Sequence, residues 1–323
     1  MDISQTYTTF SVKQDGSSKA LHLDINRDDD QVVVASSAVF RIYHIEETEF
    51  KERVNLRGSK AQNLNYSCND VCWNKHDPHI LATAATNGAV VIWNLGRTSR
   101  AKQEHVFNEH QRTVNKVTFH PVEANYLLSG SQDGTIKLFD IRTHEAATAF
   151  VTNSFSVRDV AFNPHGNGHL FAAGMENGSL QLWDVRRPDR YEKKWSAHTD
   201  HIFAVDWHPE SRYTLASAGR EKQIKVWNTV ETKCEHLVHS IGPVGRIKWR
   251  PRYNYHIASC SGMVGDFSVS VWDVRRPYVP YAVFREHKTV ATDIKFLSDS
   301  ERLISGSKVT FKTNLCAKKK SQI

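Results

Sequence analysis

The chain has 323 residues, of which 40% are hydrophobic and 24% charged, an ordinary composition for a folded soluble protein. No apolar run approaches the roughly 18 residues that a helical membrane span requires, and the opening MDISQTYTTFSV lacks the basic and apolar blocks of a secretory signal. The net charge of +7 gives only a weak attraction to acidic partners, and five scattered cysteines (68, 72, 234, 260, 316) predict reduced thiols in a cytosolic protein.

In chain order, residues 1–20 form an amino-terminal segment in which TYTTFSV (6–12) alternates as a strand and is expected to close a ring on the last repeat. VVVASSAVFRIYHI (32–45) supplies two strands ending near Tyr43. Further copies of that ending follow at Trp93 (VVIWNL), Phe139 (IKLFDI), Trp183 (QLWDVRRPDR), Trp227 (IKVWNT) and Trp272 (SVWDVRRPYV). The spacings of 50, 46, 44, 44 and 45 residues, with Trp-Asp at two of the endings, are the signature of a WD-repeat β-propeller with four strands per blade. Inner strands are read at DVCWN (70–74), TVNKVTFHP (113–121), VAFNP (160–164), AVDWHP (204–209), RIKWRP (246–251) and DIKFLS (293–298). Second strands follow at ILATAA (80–85), YLLSGS (126–131), LFAAGM (170–175), TLASAG (214–219), HIASCS (256–261) and RLISGS (302–307). The expected fold is all-β, a seven-bladed propeller over 21–307 with an incomplete or divergent last blade. Residues 308–323 form a divergent basic tail in which VTFKTN can serve as a makeshift third strand.

Turn residues set the register. Asn87, Asp133, Asn177, Glu221 and Asp266 each precede the blade aromatic by six residues, and Gly follows the first three, as a two-residue hairpin wants. His110, His198 and His287 each precede an inner-strand aromatic by nine residues. Together with Trp93, Trp183, Trp227 and Trp272 these residues are read as structural blade networks, because buried polar groups must be satisfied. The catalytic alternative needs a converging acid, base or metal cluster, and no such motif, metal site or cofactor fingerprint is legible. Arginines crowd the loops after the Trp-Asp positions, and Arg142, Arg186, Arg187, Arg250, Arg252, Arg275 and Arg276 are the candidate partner-binding residues. Against this stands the possibility that they pair with neighbouring aspartates. No aromatic-basic motif points to specific nucleic-acid binding.

LATAATNGAVVIWNLGR (81–97), RTVNKVTFHP (112–121), LLSGSQDGTIKLFDIR (127–142), ENGSLQLWDVRRPDR (176–190) and VWDVRRPYVPYAVFREH (271–287) resemble the propeller of the WD repeat-containing protein 24 family. The resemblance implies a non-enzymatic scaffold of the second GATOR complex, one that relays amino-acid sufficiency to target-of-rapamycin complex 1. It implies other GATOR subunits and nutrient-sensor proteins as partners, and a cytoplasmic location with recruitment to the lysosomal membrane, without a transmembrane segment and with peripheral association. Family members continue into a helical solenoid and a zinc-binding module that these 323 residues do not include, so a truncated isoform or incomplete gene model is expected. Trp-Asp-x-Arg at 183–186 and 272–275 also resembles the motif by which some propellers serve as substrate receptors of cullin-based ubiquitin ligases, the alternative role.

Overall fold

The computed structural model describes residues 21–307 except 38, 47–48, 58–66, 99–101, 144, 154–155 and 262–265, together with the strand Phe311–Leu315. The described residues form six antiparallel sheets of four strands and one of three, each sheet built from consecutive strands. The innermost strands are His22–Ile25, Cys68–Trp73, Val114–Phe119, Val157–Phe162, Ile202–Trp207, Val244–Trp249 and Ala291–Phe296. One 3₁₀ turn, Gly166–Gly168, is the sole helical element among them. The fifth sheet is representative, running Ile202–Trp207, Thr214–Gly219, Gln223–Asn228 and Lys233–His239.

The gradient of composition across each sheet follows from its position. Second strands are sandwiched between neighbouring sheets, and Ile80–Ala85 is buried at every residue. Their small residues admit the next sheet: a Cβ on Gly130 would lie 2.8 Å from Val157 Cγ1, and one on Gly174 would lie 2.6 Å from Ile202 Cγ2. Outer strands lose this cover, and Phe50–Asn55 is exposed at four of its six positions or nearly so. The core is therefore a series of apolar slabs between sheets, as stacked sheets require. One slab joins Leu21, Leu23 and Ile25 of the first sheet to Leu297 and Ile304 of the last.

Two expectations change. The first sheet has four strands, because HLDI (22–25) and Phe50–Asn55 flank the two strands legible in the sequence; HLDI escaped notice for want of a terminal aromatic and a HisPro exit. Five inner strands begin two or three residues earlier than the aromatic pattern suggests, since a bulge near each start breaks the alternation, whereas the third-sheet strand read from 113 begins at Val114. The last sheet continues beyond 307 where VTFKTN offered a makeshift third strand, with Phe311–Leu315 pairing antiparallel to Arg302–Ser307. Six complete blades and a three-stranded sheet are what the described residues contain. The proposed closing strand at 6–12 lies outside them.

The last sheet meets the first directly. Thr292 Oγ1 accepts from Leu21 N at 3.2 Å and donates to Leu21 O at 2.5 Å, and Ser298 N donates to Asp29 at 2.7 Å. Gly306 approaches the Leu21 side chain so closely that a Cβ would fall 2.6 Å from it.

Candidate functional site

The blade networks are most complete in the fifth sheet. Trp227 Nε1 donates to Ser217 Oγ (2.8 Å), Ser217 Oγ meets His198 Nε2 (2.6 Å), and His198 Nδ1 meets Glu221 (2.6 Å). Each donor finds one acceptor if Nδ1 carries the imidazole proton. Burial holds His198 neutral, with its pKa lowered to about 4, while Lys225 and Thr199 help to hold Glu221 at about 2 despite desolvation. In the third sheet His110 bridges Ser129 (2.6 Å) and Asp133 (2.9 Å), but Phe139 replaces the indole and ends the chain of donors. His287 contacts Ser305 at 2.7 Å in the last sheet. The other tryptophans find different partners: Trp93 uses Thr83 (2.9 Å), Trp183 uses Gln181 (3.0 Å) and Trp272 uses Ser259 (2.8 Å). Asn87, Asn177 and Asp266 cap their own turns, accepting from Ala89 N, Ser179 N and Ser268 N.

The arginine loops separate into three groups. Arg142, Arg186 and Arg275 turn back onto Asp140, Asp184 and Asp273, with closest contacts of 2.7, 2.5 and 2.7 Å, yet their side chains remain 64, 64 and 55% exposed. Those guanidinium groups hold the three carboxyls below the usual carboxylate range. Arg187, which meets Glu192 at 3.2 Å, is exposed, as are Arg252 and Arg276. Arg250 does not belong with them. It is 1% exposed, its Nε donates to Ser300 O at 2.7 Å, and its guanidinium lies 3.9 Å from the Tyr253 ring centre. The Arg-Pro that ends its strand looks like a surface loop in the sequence, but the side chain spans the seam between the sixth and last sheets.

The axial channel carries polar residues that the repeat pattern did not single out. Asp24, Asp70, Asp159, Asp206 and Asp293 each accept a backbone N–H from the next sheet, from Trp73 (2.8 Å), Val117 (3.1 Å), Val205 (2.8 Å), Trp249 (2.8 Å) and Leu23 (3.1 Å) respectively. At the two junctions without such an aspartate, Asn115 donates to Val157 O (2.7 Å) and Arg250 to Ser300 O. Every sheet is thus latched to the next. A signal for three of these existed: Asp70, Asp159 and Asp293 stand three residues before the aromatic that ends their strand. Asn69, Asn115, Arg158, Phe203, Gly245 and Thr292 occupy the inner-strand bulges and line a cavity of about 240 Å³ with His22 and Arg246. A bulge re-aims its side chain, which is how five of these reach the cavity, while Gly245 lines it with backbone alone.

The described cysteines are free thiols. Burial pushes Cys72 up to about 12 and raises Cys68 and Cys260 further, so they are packing residues rather than nucleophiles. Cys316 lies outside the described residues. No helix of the described residues is long and apolar enough to cross a membrane.

Residues 64–264 match the family model described as Nucleolar protein 10-like, N-terminal domain. The chain is 53% identical over 290 residues to the GATOR2 complex protein WDR24 of Danio rerio and 52% identical over 290 residues to that of Homo sapiens, covering 88% of this chain in both. The Dictyostelium discoideum protein of the same name is 43% identical over 286 residues. The chain spans 37% of the Danio rerio relative and 36% of the human one. A solved chain from a crystal structure of the Mitotic Checkpoint Complex superposes with a TM-score of 0.80 over 98% of this chain and 94% of that one, at 20% identity, which speaks to the fold alone. This chain belongs to the β-propeller family which that model describes and, by its relatives, to the WD repeat-containing protein 24 family.

Proposed function

We propose that the chain is the propeller of a GATOR2 scaffold subunit, acting by docking other proteins rather than by turning over a substrate. The carrying observation is the identity of 52–53% to WDR24 proteins over nearly all of the described propeller. In this reading the three-stranded sheet is the seventh blade, the ring occupies 21–307 plus the strand Phe311–Leu315, and the segments 1–20 and 308–323 flank it. Other GATOR subunits and nutrient-sensor proteins are its partners, and its output is amino-acid signalling to target-of-rapamycin complex 1 from the cytoplasm and the lysosomal surface.

The docking face is assigned to the loops after the inner-strand and third-strand aromatics. Arg187, Arg252 and Arg276 lie in those loops, Arg252 next to exposed Tyr253 and Arg276 two residues before exposed Tyr278, and Arg275 lies 4.3 Å from the Tyr255 ring centre. Arginine beside aromatic surface is the composition of an interface hot spot, and it suits an acidic partner face. Arg142, Arg186 and Arg275 present the remaining edge of guanidiniums already fixed by their aspartates. The test is capture of GATOR subunits by the tagged chain and by an Arg187→Glu, Arg252→Glu, Arg276→Glu variant. Capture by the parent, lost in the variant with the melting temperature unmoved, supports both parts. Capture by both at physiological salt overturns the face but not the scaffold; recovery of a cullin adaptor without GATOR subunits overturns the scaffold reading.

A further inference from the structure

The inner strands of the last, first and second sheets bring Asp293, His22 and Asp70 to one level of the channel, although 271 residues separate the strands' neighbouring ends. His22 Nδ1 lies 3.9 Å from Asp70 Oδ1 and 3.9 Å from Asp293 Oδ2, and one donor atom from each of the three lies within 4.8 Å of the others. All three residues are buried, His22 at 5% exposure. Among the described residues, His22 Nδ1 has no hydrogen-bond partner. A ring nitrogen shut away from bulk water and facing two carboxylates is costly unless something fills the space between them.

The charges around it leave room for a cation. At this level Asp70, Asp159 and Asp293 face Lys116 and Arg246, whereas the next level sets Asp24 and Asp206 against Lys248 and Lys295. Counted with every carboxyl ionised, one negative charge is in excess, and burial raises the Asp159 carboxyl toward its neutral form. Arg246 pairs with both acids only at long range, 3.9 Å from Asp70 and 4.0 Å from Asp293, and its Nε has no hydrogen-bond partner among the described residues. The cavity of about 240 Å³ that His22 and Arg246 line supplies space for solvent ligands.

We propose that His22, Asp70 and Asp293 form a site for a divalent transition cation of the zinc class, held by one imidazole nitrogen and two carboxylate oxygens. Zinc binds nitrogen and oxygen at about 2.0–2.2 Å, so its donors sit roughly 3.4 Å apart in a tetrahedral shell. The two His22 separations of 3.9 Å need to close by about half an ångström to reach that, and the two carboxylates, within 4.8 Å of each other, need to close by up to about 1.4 Å. The remaining position faces the cavity and takes water. Such an ion ties together the last, first and second sheets and so staples the ring where its three-stranded sheet meets the start of the chain.

The experiment is metal analysis of the purified 323-residue chain after equilibration with zinc and dialysis, repeated on His22→Gln. One equivalent per chain, removed by a chelator with a fall in melting temperature and bound at least about tenfold more weakly by the variant, is the expected result. No zinc above background in the parent overturns the site. Equal loading of parent and variant also does, since it places the metal on surface histidines. Should His22→Gln fail to fold, the cobalt-loaded parent decides: a spectrum of nitrogen and oxygen ligands supports the site, whereas a thiolate charge-transfer band assigns the metal to cysteine and overturns it.

Discussion

At the scale of the residue, the same polar chain has been built to different lengths in different sheets. In the fifth sheet Glu221, His198, Ser217 and Trp227 form an unbroken relay of donors and acceptors, whereas Phe139 ends the corresponding relay in the third sheet. Glu221→Ala leaves the buried His198 Nδ1 proton and the Thr199 N–H without their acceptor, so it should cost about 1–3 kcal/mol. Urea denaturation of the purified variant measures this, and an unchanged midpoint would refute the structural role. Trp227→Phe imitates the third sheet, and it should cost less hydrogen-bond energy than Glu221→Ala because Ser217 keeps its histidine. The offsets of six and nine residues locate Glu221 and His198 along the chain. They could not reveal that Trp183 would turn to Gln181 within its own strand, a choice made by side-chain geometry rather than spacing.

At the scale of the element, the junction between sheets is the unit of stability. Each junction joins an apolar slab to one side-chain bond across the channel, and the closing junction uses Asp293 on Leu23 N. Asp293→Ala should cost about 1–3 kcal/mol for the orphaned amide. Hydrogen exchange should then quicken together in Leu21–Ile25 and Ala291–Phe296 while Thr214–Gly219 keeps its protection. In the parent chain, the last sheet, which has three strands among the described residues, should already open at lower free energy than the four-stranded ones, because those residues give it one ladder fewer to hold its third strand. Exchange in Arg302–Ser307 as slow as in Thr214–Gly219 would count against this. A separate prediction concerns the turn at Gly88, whose φ is +91° and whose Cβ position lies 2.3 Å from His110 O of the next sheet. Gly88→Ala should therefore destabilise both through the backbone and through that neighbour, by more than the roughly 1 kcal/mol typical of φ alone, as read from its denaturation midpoint.

At the scale of the whole molecule, buried histidines set the response to acid. Burial lowers His198 to about 4, and it lowers His120 and His208 as well. An unfolded histidine takes up its proton near pH 6.5, so between about 6.5 and 4 the unfolded chain binds more protons than the folded one. Stability is full above that window and is lost as pH falls through it. Glu221, held at about 2, adds its own loss only below the usual carboxylate range. The urea midpoint should consequently decline from pH 7 to pH 4.5, and a flat profile would contradict the neutral, buried state of these rings.

The sequence by itself determined the repeat, and with it the all-β class and the limits of the second strands. This is because each sheet must solve the same packing problem with the same alternation, turn and terminal aromatic. Only the tertiary structure decided what happens between repeats. Arg250 reads as one more exposed arginine until the fold lays it across a seam, and His22, Asp70 and Asp293 share no local pattern at all. They come together because a ring places the first inner strand beside both the second and the last, a proximity set by closure and not by any spacing along the chain.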